Sequence, residues 1–323
     1  LRQNEPVRVH ISGEWNPDEI DQILRASRQP IEITYGDVQD AEVLVDGRAS
    51  DEILEKMPSL RHVVVPWAGL PKKLGEVLAD YPQITAHNLH HNAVSTAEMA
   101  LTLMMACAKR LVECDGDLRR GHWATRMEPG GPSTHSLACK RVLIFGFGEI
   151  GLHVARVCQA LQMQVVGVRR EARDRDGFHV IAFGDLEDEL PQTDVLVVCA
   201  PLTPETEGAI GERELGLLPE NAIVVNVGRG PIIEEAALYE ACRSRRLFAA
   251  GSDVWYQYPR GEEGPVMPSQ FPFHELPNVV MSPHHGGMTY QTEAIRLRHL
   301  GELLSELAGG NAECNRVNVS RGY

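Results

Sequence analysis

The sequence predicts an α/β protein of two units, one of them built on a doubly wound parallel sheet. Three observations point there. Short apolar runs alternate with amphipathic stretches along most of the 323 residues. A glycine-rich turn at 146–151 joins an apolar run to an amphipathic one, in the order strand, turn, helix. A last amphipathic stretch, 290–307, lies beyond the final apolar run and should lead back to the first unit.

The elements follow in order. Apolar runs at 7–11, 31–35, 43–45, 62–65 and 84–86 read as strands. Between them 17–26, 51–56 and 71–80 read as helices, the pattern of a parallel sheet. A long helix is expected from Ser95, which serves as N-cap with Glu98 three residues on as a capping box, through Met99, Leu103 and Met104 to Arg110. Six further strands are expected at 142–145, 165–168, 195–199, 223–227, 249–254 and 279–281, with a helix at 152–163. The stretch 256–278 is a long loop rich in Pro, Gly and Glu; such loops are uncommon in compact domains and often functional.

The glycines have separate tasks. Gly146 permits a tight turn, Gly148 lets the backbone approach a pyrophosphate, and Gly151 lets the helix pack close to the strand. The helix N-terminus, opened by Glu149 and Ile150, offers free N–H groups and partial positive charge. These features imply a bound dinucleotide. A carboxylate is expected after the second strand, to accept hydrogen bonds from a ribose. The chain has Arg169 and Arg170 there, then Glu171. A guanidinium cannot accept a hydrogen bond but pairs well with a 2′-phosphate. The expectation is NADP, with NAD possible. The alternative is a pair of solvated arginines in a stretch that continues with Arg173 and Arg175.

Bulk properties narrow the partners. A formal charge of −14 argues against nucleic acid and against anionic membranes. The most apolar helix, 97–108, is too short to span a bilayer. No apolar run follows residues 1–5 as a signal peptide would require. Seven cysteines without C-x-x-C spacing favour reduced thiols in a cytoplasmic protein and give no metal site.

Three later segments carry chemistry: N-V-G-R-G around Arg229, G-S-D-V-W around Asp253, and S-P-H-H-G-G around His284. Each places a polar group just past a strand, where α/β sheets build their sites. An arginine there can clamp a carboxylate, and a histidine can exchange a proton near neutral pH. With a nicotinamide, these parts suit reversible hydride transfer to a 2-keto acid.

With these segments the chain resembles the D-isomer-specific 2-hydroxyacid dehydrogenase family over nearly its whole length. Ala68-Gly69 is similar to the family's substrate-loop motif, and the segment from Asn92 to Glu98 to its hinge and helix. Gly121 and Trp123 resemble the short G-x-W of a dimerisation arm, P-L-T-P-E-T at 201–206 a further motif, and N-R-V-N at 315–318 the closing segment. The resemblance implies a flavodoxin-like substrate domain from 1–91 and 288–323, with a Rossmann NAD(P)-binding domain, 92–287, inserted in it. It implies an active site in the cleft and a homodimer built on the Rossmann domain. Arg229 would bind the carboxylate and carbonyl of a small 2-keto or 2-hydroxy acid, with His284 as acid/base. Asp253 would hold the nicotinamide carboxamide, Thr203 would belong to the cofactor site, and Ala68, Gly69 and Leu70 would grip the carboxylate.

The departure from the family is Tyr258. The family usually has a glutamate there, which orients the histidine and raises its pKa. A tyrosine hydroxyl can hydrogen-bond an imidazole but cannot stabilise imidazolium as a carboxylate does. Either the acid/base chemistry is weakened, or Glu262, Glu263 or Glu275 substitutes. Formate dehydrogenases of the superfamily also lack the glutamate, but this chain has none of their other substrate features. Two rival readings stay open: a dinucleotide-sensing, corepressor-like binding protein, and a dehydrogenase of an unusual hydride donor. Trp67 either lines the substrate pocket or plugs the cleft. His285 should point away from His284. His87, His90 and His91 read as loop residues, not zinc ligands, and Met99, Met104 and Met105 as core.

Overall fold

The structure, a computed structural model, describes residues 5–123, 126, 134–261 and 264–321. Its contacts divide the chain into two compact units: Leu1–Asn92 with Thr289–Tyr323, and Ala93–Met288.

The first unit holds strands β1 (Val7–Ile11), β2 (Ile31–Tyr35), β3 (Val43–Val45), β4 (His62–Val65), β5 (Thr85–Asn88) and a late β13 (Arg316–Val317). Their order across the sheet is β13-β5-β4-β3-β1-β2, all parallel except β13. Without β13 this is the doubly wound order of flavodoxin-like sheets. Alternation divides the side chains between two cores. Val9, Ile11, Val43, Val45 and Val64 face one way, against Ile20 and Ile23 of helix α1 (Pro17–Ala26) and the leucines of a late helix (Thr292–Ala308). Leu44, Val63 and Val65 face the other way, against Leu54 of α2 (Asp51–Glu55) and Leu74 and Leu78 of α3 (Lys72–Leu78). Helix α1 begins where the sequence says it should. The Asn16 side chain accepts from Glu19 N–H, the Glu19 carboxylate accepts from Asn16 N–H, and Pro17 follows.

The second unit holds α4 (Ala93–Ala108), α5 (Leu111–Arg119), β6 (Arg141–Phe145), α6 (Glu149–Ala160), β7 (Gln164–Arg169), β8 (His179–Ala182) and α7 (Leu186–Glu189). It continues with β9 (Val195–Val198), α8 (Glu212–Leu217), β10 (Ile223–Asn226), α9 (Glu235–Arg243), β11 (Ala249–Ser252) and β12 (Val279–Met281). All seven strands are parallel, in the order β12-β11-β10-β9-β6-β7-β8. The order reverses at β6, between β9 and β7, which makes the carboxyl end of β6 the switch point where such sheets bind ligands. The chain then re-enters the first unit through α10 (Thr292–Ala308).

Several expectations change. The sheet has seven strands, not six, because the short β8 pairs with β7. Helix α4 begins at Ala93, so Ser95 lies inside its first turn and is not the N-cap. The fold overrides the local capping signal because α4 is buried on nearly every side; Leu103 even fills the space a Cβ at Gly251 would need. Helix α6 opens at Glu149 and ends at Ala160, earlier than its apolar pattern suggested at both ends. His87 is no loop residue. It lies buried in β5, bonded to the Thr85 hydroxyl at 2.8 Å and the Cys314 carbonyl at 2.8 Å. Met105 is exposed, unlike the buried Met104.

Candidate active site

At the switch point two of the three glycines have a steric reason. Gly146 has φ +100°, and a Cβ there would lie 2.3 Å from Ala200 N. A Cβ on Gly151 would lie 2.6 Å from the Gly146 carbonyl, so this glycine lets α6 sit close on the turn. Gly148 faces open space, with no heavy atom within 4 Å of its Cβ position. It is the N-cap of α6, and no side chain caps the helix there. The N-terminus of α6, with its partial positive charge, opens directly from this turn, a place suited to an anion. The Glu149 side chain pairs with Arg175 at 2.5 Å. Phe147, between the glycines, is fully buried against Gly167 of β7.

The two arginines after β7 differ. Arg170 is held by Glu205, whose Oε2 accepts from Nε at 2.9 Å and Nη2 at 2.7 Å. Arg169 is exposed and has no carboxylate partner among the described residues. Thr203 is buried and occupied within its own loop. Its N–H donates to the Thr206 hydroxyl at 2.8 Å, and the two hydroxyls lie 3.2 Å apart.

Past β10, Asn226 shapes the Arg229 loop. Its amide oxygen accepts from Gly228 N–H at 3.0 Å, and its amide nitrogen donates to the Arg229 carbonyl at 3.1 Å. Gly230 follows because a Cβ there would strike the Trp255 carbonyl at 2.3 Å. The Arg229 side chain is exposed and donates to the Gly228 carbonyl at 2.7 Å.

Past β12, His284 adopts the left-handed conformation at φ 58°. A single such residue costs about 1–2 kcal/mol, and Asp253 offsets it. That carboxylate, only 2% exposed, accepts from Ser282 Oγ, from His285 N–H at 3.1 Å and from Gly286 N–H at 2.9 Å. Asp253 therefore pins the turn that carries His284, with an acceptor direction to spare. Ser282 also bonds the His285 ring at 3.0 Å, which draws that ring away from the His284 partner.

The partner of His284 is Tyr258. The phenol oxygen lies 2.9 Å from Nδ1, and Trp255 N–H donates to the same oxygen at 3.0 Å. With Trp255 N–H on one lone pair, the phenol can either donate its O–H to Nδ1 of the neutral ring or accept from Nδ1–H on its second lone pair. When the ring is protonated, Nδ1–H donates and the phenol proton turns to solvent, which the 40% exposure of Tyr258 permits. Both states are hydrogen-bonded, but no negative charge touches the ring. Burial and then the Arg229 charge hold the His284 pKa below its ordinary value, against a smaller opposing pull from Asp253. Burial keeps the Tyr258 phenol above its ordinary value, hence neutral. Glu275 lies 3.9 Å from His274 instead, and Glu262 and Glu263 lie outside the described residues.

Arg229, His284, Tyr258 and Asp253 thus meet at one end of the second unit's sheet. Sequence reasoning missed Asn226, Ser282 and the Trp255 amide. The first two carried a signal: each is a buried polar residue ending or following an apolar strand. In the first unit, Ala68, Gly69 and Leu70 form the turn after β4. Gly69 has φ +86°, and Leu70 packs where a Cβ on Gly75 would meet it at 3.3 Å. Among the described residues no group of three or more His, Cys, Asp or Glu could hold a metal ion. No described helix is long and apolar enough to cross a membrane.

Residues 101–286 match the profile of the NAD binding domain of D-isomer specific 2-hydroxyacid dehydrogenases. A glyoxylate reductase of Thermococcus gammatolerans is 31% identical over 297 residues, 88% of this chain and 83% of the relative. A D-3-phosphoglycerate dehydrogenase of Archaeoglobus fulgidus is 32% identical over 232 residues, 71% of this chain; the match spans only 41% of that longer protein. The crystal structure of a D-isomer specific 2-hydroxyacid dehydrogenase from Xanthobacter autotrophicus, 22% identical, superposes with a TM-score of 0.79 over 99% of this chain and 100% of the other.

Proposed function

The chain belongs to the D-isomer-specific 2-hydroxyacid dehydrogenase family, and from that premise we propose that it reduces a small 2-keto acid, in the class of glyoxylate or hydroxypyruvate. One observation carries the reading: the Arg229 guanidinium and the Tyr258-bonded His284 imidazole share one strand-end site of the nucleotide-binding unit. Arg229 binds the substrate carboxylate. His284 gives the new alkoxide its proton from Nε2. The nicotinamide cofactor, when bound, supplies the hydride. Gly146, Gly148 and Gly151 with the open end of α6 fit its pyrophosphate, and the spare acceptor of Asp253 suits its carboxamide. NADP(H) is the preferred form, with NAD(H) second. Arg169 is the arginine free for a 2′-phosphate, while Arg170 is engaged by Glu205.

A homodimer through the second unit belongs to the same reading. Leu111, Val112 and Leu118 of α5 and Trp123 are each more than half exposed, an apolar surface suited to a second copy. A second reading rests on Tyr258. A histidine kept neutral suits a hydride donor whose oxidation releases no proton to the enzyme. Steady-state NADPH oxidation against a panel of 2-keto acids, with NADH in parallel, tests both. Turnover of glyoxylate or hydroxypyruvate that disappears in His284→Asn is expected. Absence of turnover with every keto acid overturns the first reading and leaves the second.

A further inference from the structure

We propose that His285 and Ser282 are positioning residues for the cofactor: a hydrogen-bond chain from the His285 ring through the Ser282 hydroxyl fills one oxygen of the Asp253 carboxylate and reserves the other for the nicotinamide carboxamide. The inference deepens the dinucleotide reading above and rests on Asp253 as the carboxamide acceptor. Every residue in the chain belongs to the second unit.

The hydrogens follow from counting. A serine hydroxyl carries one, and an ionised carboxylate only accepts. The Ser282 hydrogen therefore lies in the 2.5 Å contact between its Oγ and Asp253 Oδ1. The 3.0 Å contact of the same Oγ with His285 Nδ1 must then take its hydrogen from the ring, so Nδ1–H donates to Ser282. A hydroxyl turned toward the ring would leave the Ser282 and Asp253 oxygens in contact with no hydrogen between them. The His285 backbone N–H also donates to Oδ1, at 3.1 Å, so both lone-pair directions of that oxygen are taken. Oδ2 has one donor among the described residues, Gly286 N–H at 2.9 Å, and one direction open. Residue 286 has to be glycine for its N–H to come so close. A Cβ there would stand 2.8 Å from Oδ2 and 2.7 Å from Met99 Cβ of α4.

The last torsion of an aspartate is intrinsically broad. Donors on both oxygens fix the plane of the Asp253 carboxylate, and with it the direction of the open lone pair. Of those donors only the Ser282 hydroxyl can point elsewhere, and the His285 ring N–H on its oxygen commits it to Asp253. Packing does not require that ring, since half of the His285 side chain is exposed.

The test uses whichever of NADPH and NADH binds more tightly, and its reduced 3-acetylpyridine analogue, in which an acetyl group replaces the carboxamide and the amide N–H donors are gone. Dissociation constants for both are measured by calorimetry in wild type, Ser282→Ala, Ser282→Thr, His285→Phe and the double variant Ser282→Ala with His285→Phe. Wild type should prefer the natural cofactor by at least about tenfold, the scale of a hydrogen bond to a charged group. Ser282→Ala should cut that preference at least about threefold by weakening the natural cofactor and not the analogue. Ser282→Thr, which keeps a hydroxyl, should retain the wild-type ratio. His285→Phe should cut the preference less than Ser282→Ala and add nothing in the double variant. Should Ser282→Ala not fold, His285→Phe at the half-exposed position carries the same comparison. Equal losses of cofactor and analogue in Ser282→Ala, or an effect of His285→Phe that persists without the hydroxyl, overturn the proposal. A wild type that binds both forms equally removes Asp253 as the carboxamide acceptor, whereas a discriminating wild type with an unmoved ratio in Ser282→Ala sinks this chain alone.

Discussion

Replacing Tyr258 by glutamate should move the alkaline limb of keto-acid reduction to higher pH. In the reaction proposed above reduction needs protonated His284, and its folded pKa lies below the ordinary imidazole value because of burial and then Arg229. The wild-type rate should therefore fall as pH rises through a range below about 6.5. The phenol oxygen now sits 2.9 Å from Nδ1. A glutamate is shorter than a tyrosine, so its carboxylate would stand roughly 4–5 Å from the ring. At that distance, with the half-buried site at an effective dielectric of roughly 40, the attraction for imidazolium is about 2 kcal/mol. That corresponds to roughly a 30-fold larger protonated fraction at any pH on the alkaline side. The assay is kcat/KM for glyoxylate reduction from pH 5 to 9 in both proteins, with binding of NADPH measured across the same range. A wild-type limb above pH 8 that Tyr258→Glu leaves in place would refute the reasoning, because some other carboxylate would then already serve the ring.

Four further outcomes are expected. Arg229→Ala should lose about 3 kcal/mol or more in kcat/KM for keto acids, the scale of a lost charge-assisted bidentate contact, with a much smaller change in NADPH binding; equal losses in both would make the arginine structural. Arg169→Asp should lower the NADPH-to-NADH ratio of kcat/KM at least about tenfold. Glu205→Gln, which removes an exposed ion pair with Arg170, should change that ratio by no more than about fivefold, and a larger effect would make Arg170 the phosphate ligand. His91 is pushed down to about 4, by burial first and then by Arg296, and its Nδ1 is buried without a hydrogen-bond partner. A histidine held neutral in the fold contributes stability present above its unfolded pKa of 6.5 and lost as pH falls toward about 4. The urea midpoint should therefore drop between pH 7 and 4.5 by up to about 3 kcal/mol of stability, and drop less in His91→Gln.

Much of this was legible in the chain because it depends on local pattern. Gly146, Gly148 and Gly151 announce a turn, and the structure repeats the steric demands expected of Gly146 and Gly151. Arg229, Asp253 and His284 announce themselves as polar residues just past apolar strands. What escaped depends on partners distant in sequence. β13, two residues long, is too short to show a period, and β13 and β8 are marked as strands by their pairing with β5 and β7. His87 looked like a loop residue because its partners, Thr85 and the Cys314 carbonyl, give no local signal. The Tyr258 hydroxyl could be named as a possible imidazole partner. That Trp255 N–H takes one of its lone pairs, and so holds the phenol beside the ring, needed coordinates.

The return of the chain to its first unit has a consequence for synthesis on the ribosome. One face of the first sheet is covered by Leu297, Leu300, Leu304 and Leu307 of α10, while the second unit is a single uninterrupted segment. Translation therefore delivers Val9, Ile11, Val43 and Val45 roughly 250–290 residues before Leu297, a wait of about 13–58 s at ordinary elongation speeds of roughly 5–20 residues per second. The nucleotide-binding unit can close during that interval. Until α10 emerges, that face of the first sheet has only Ile20 and Ile23 of α1 against it, so the nascent chain presents an incompletely covered apolar sheet face throughout the interval.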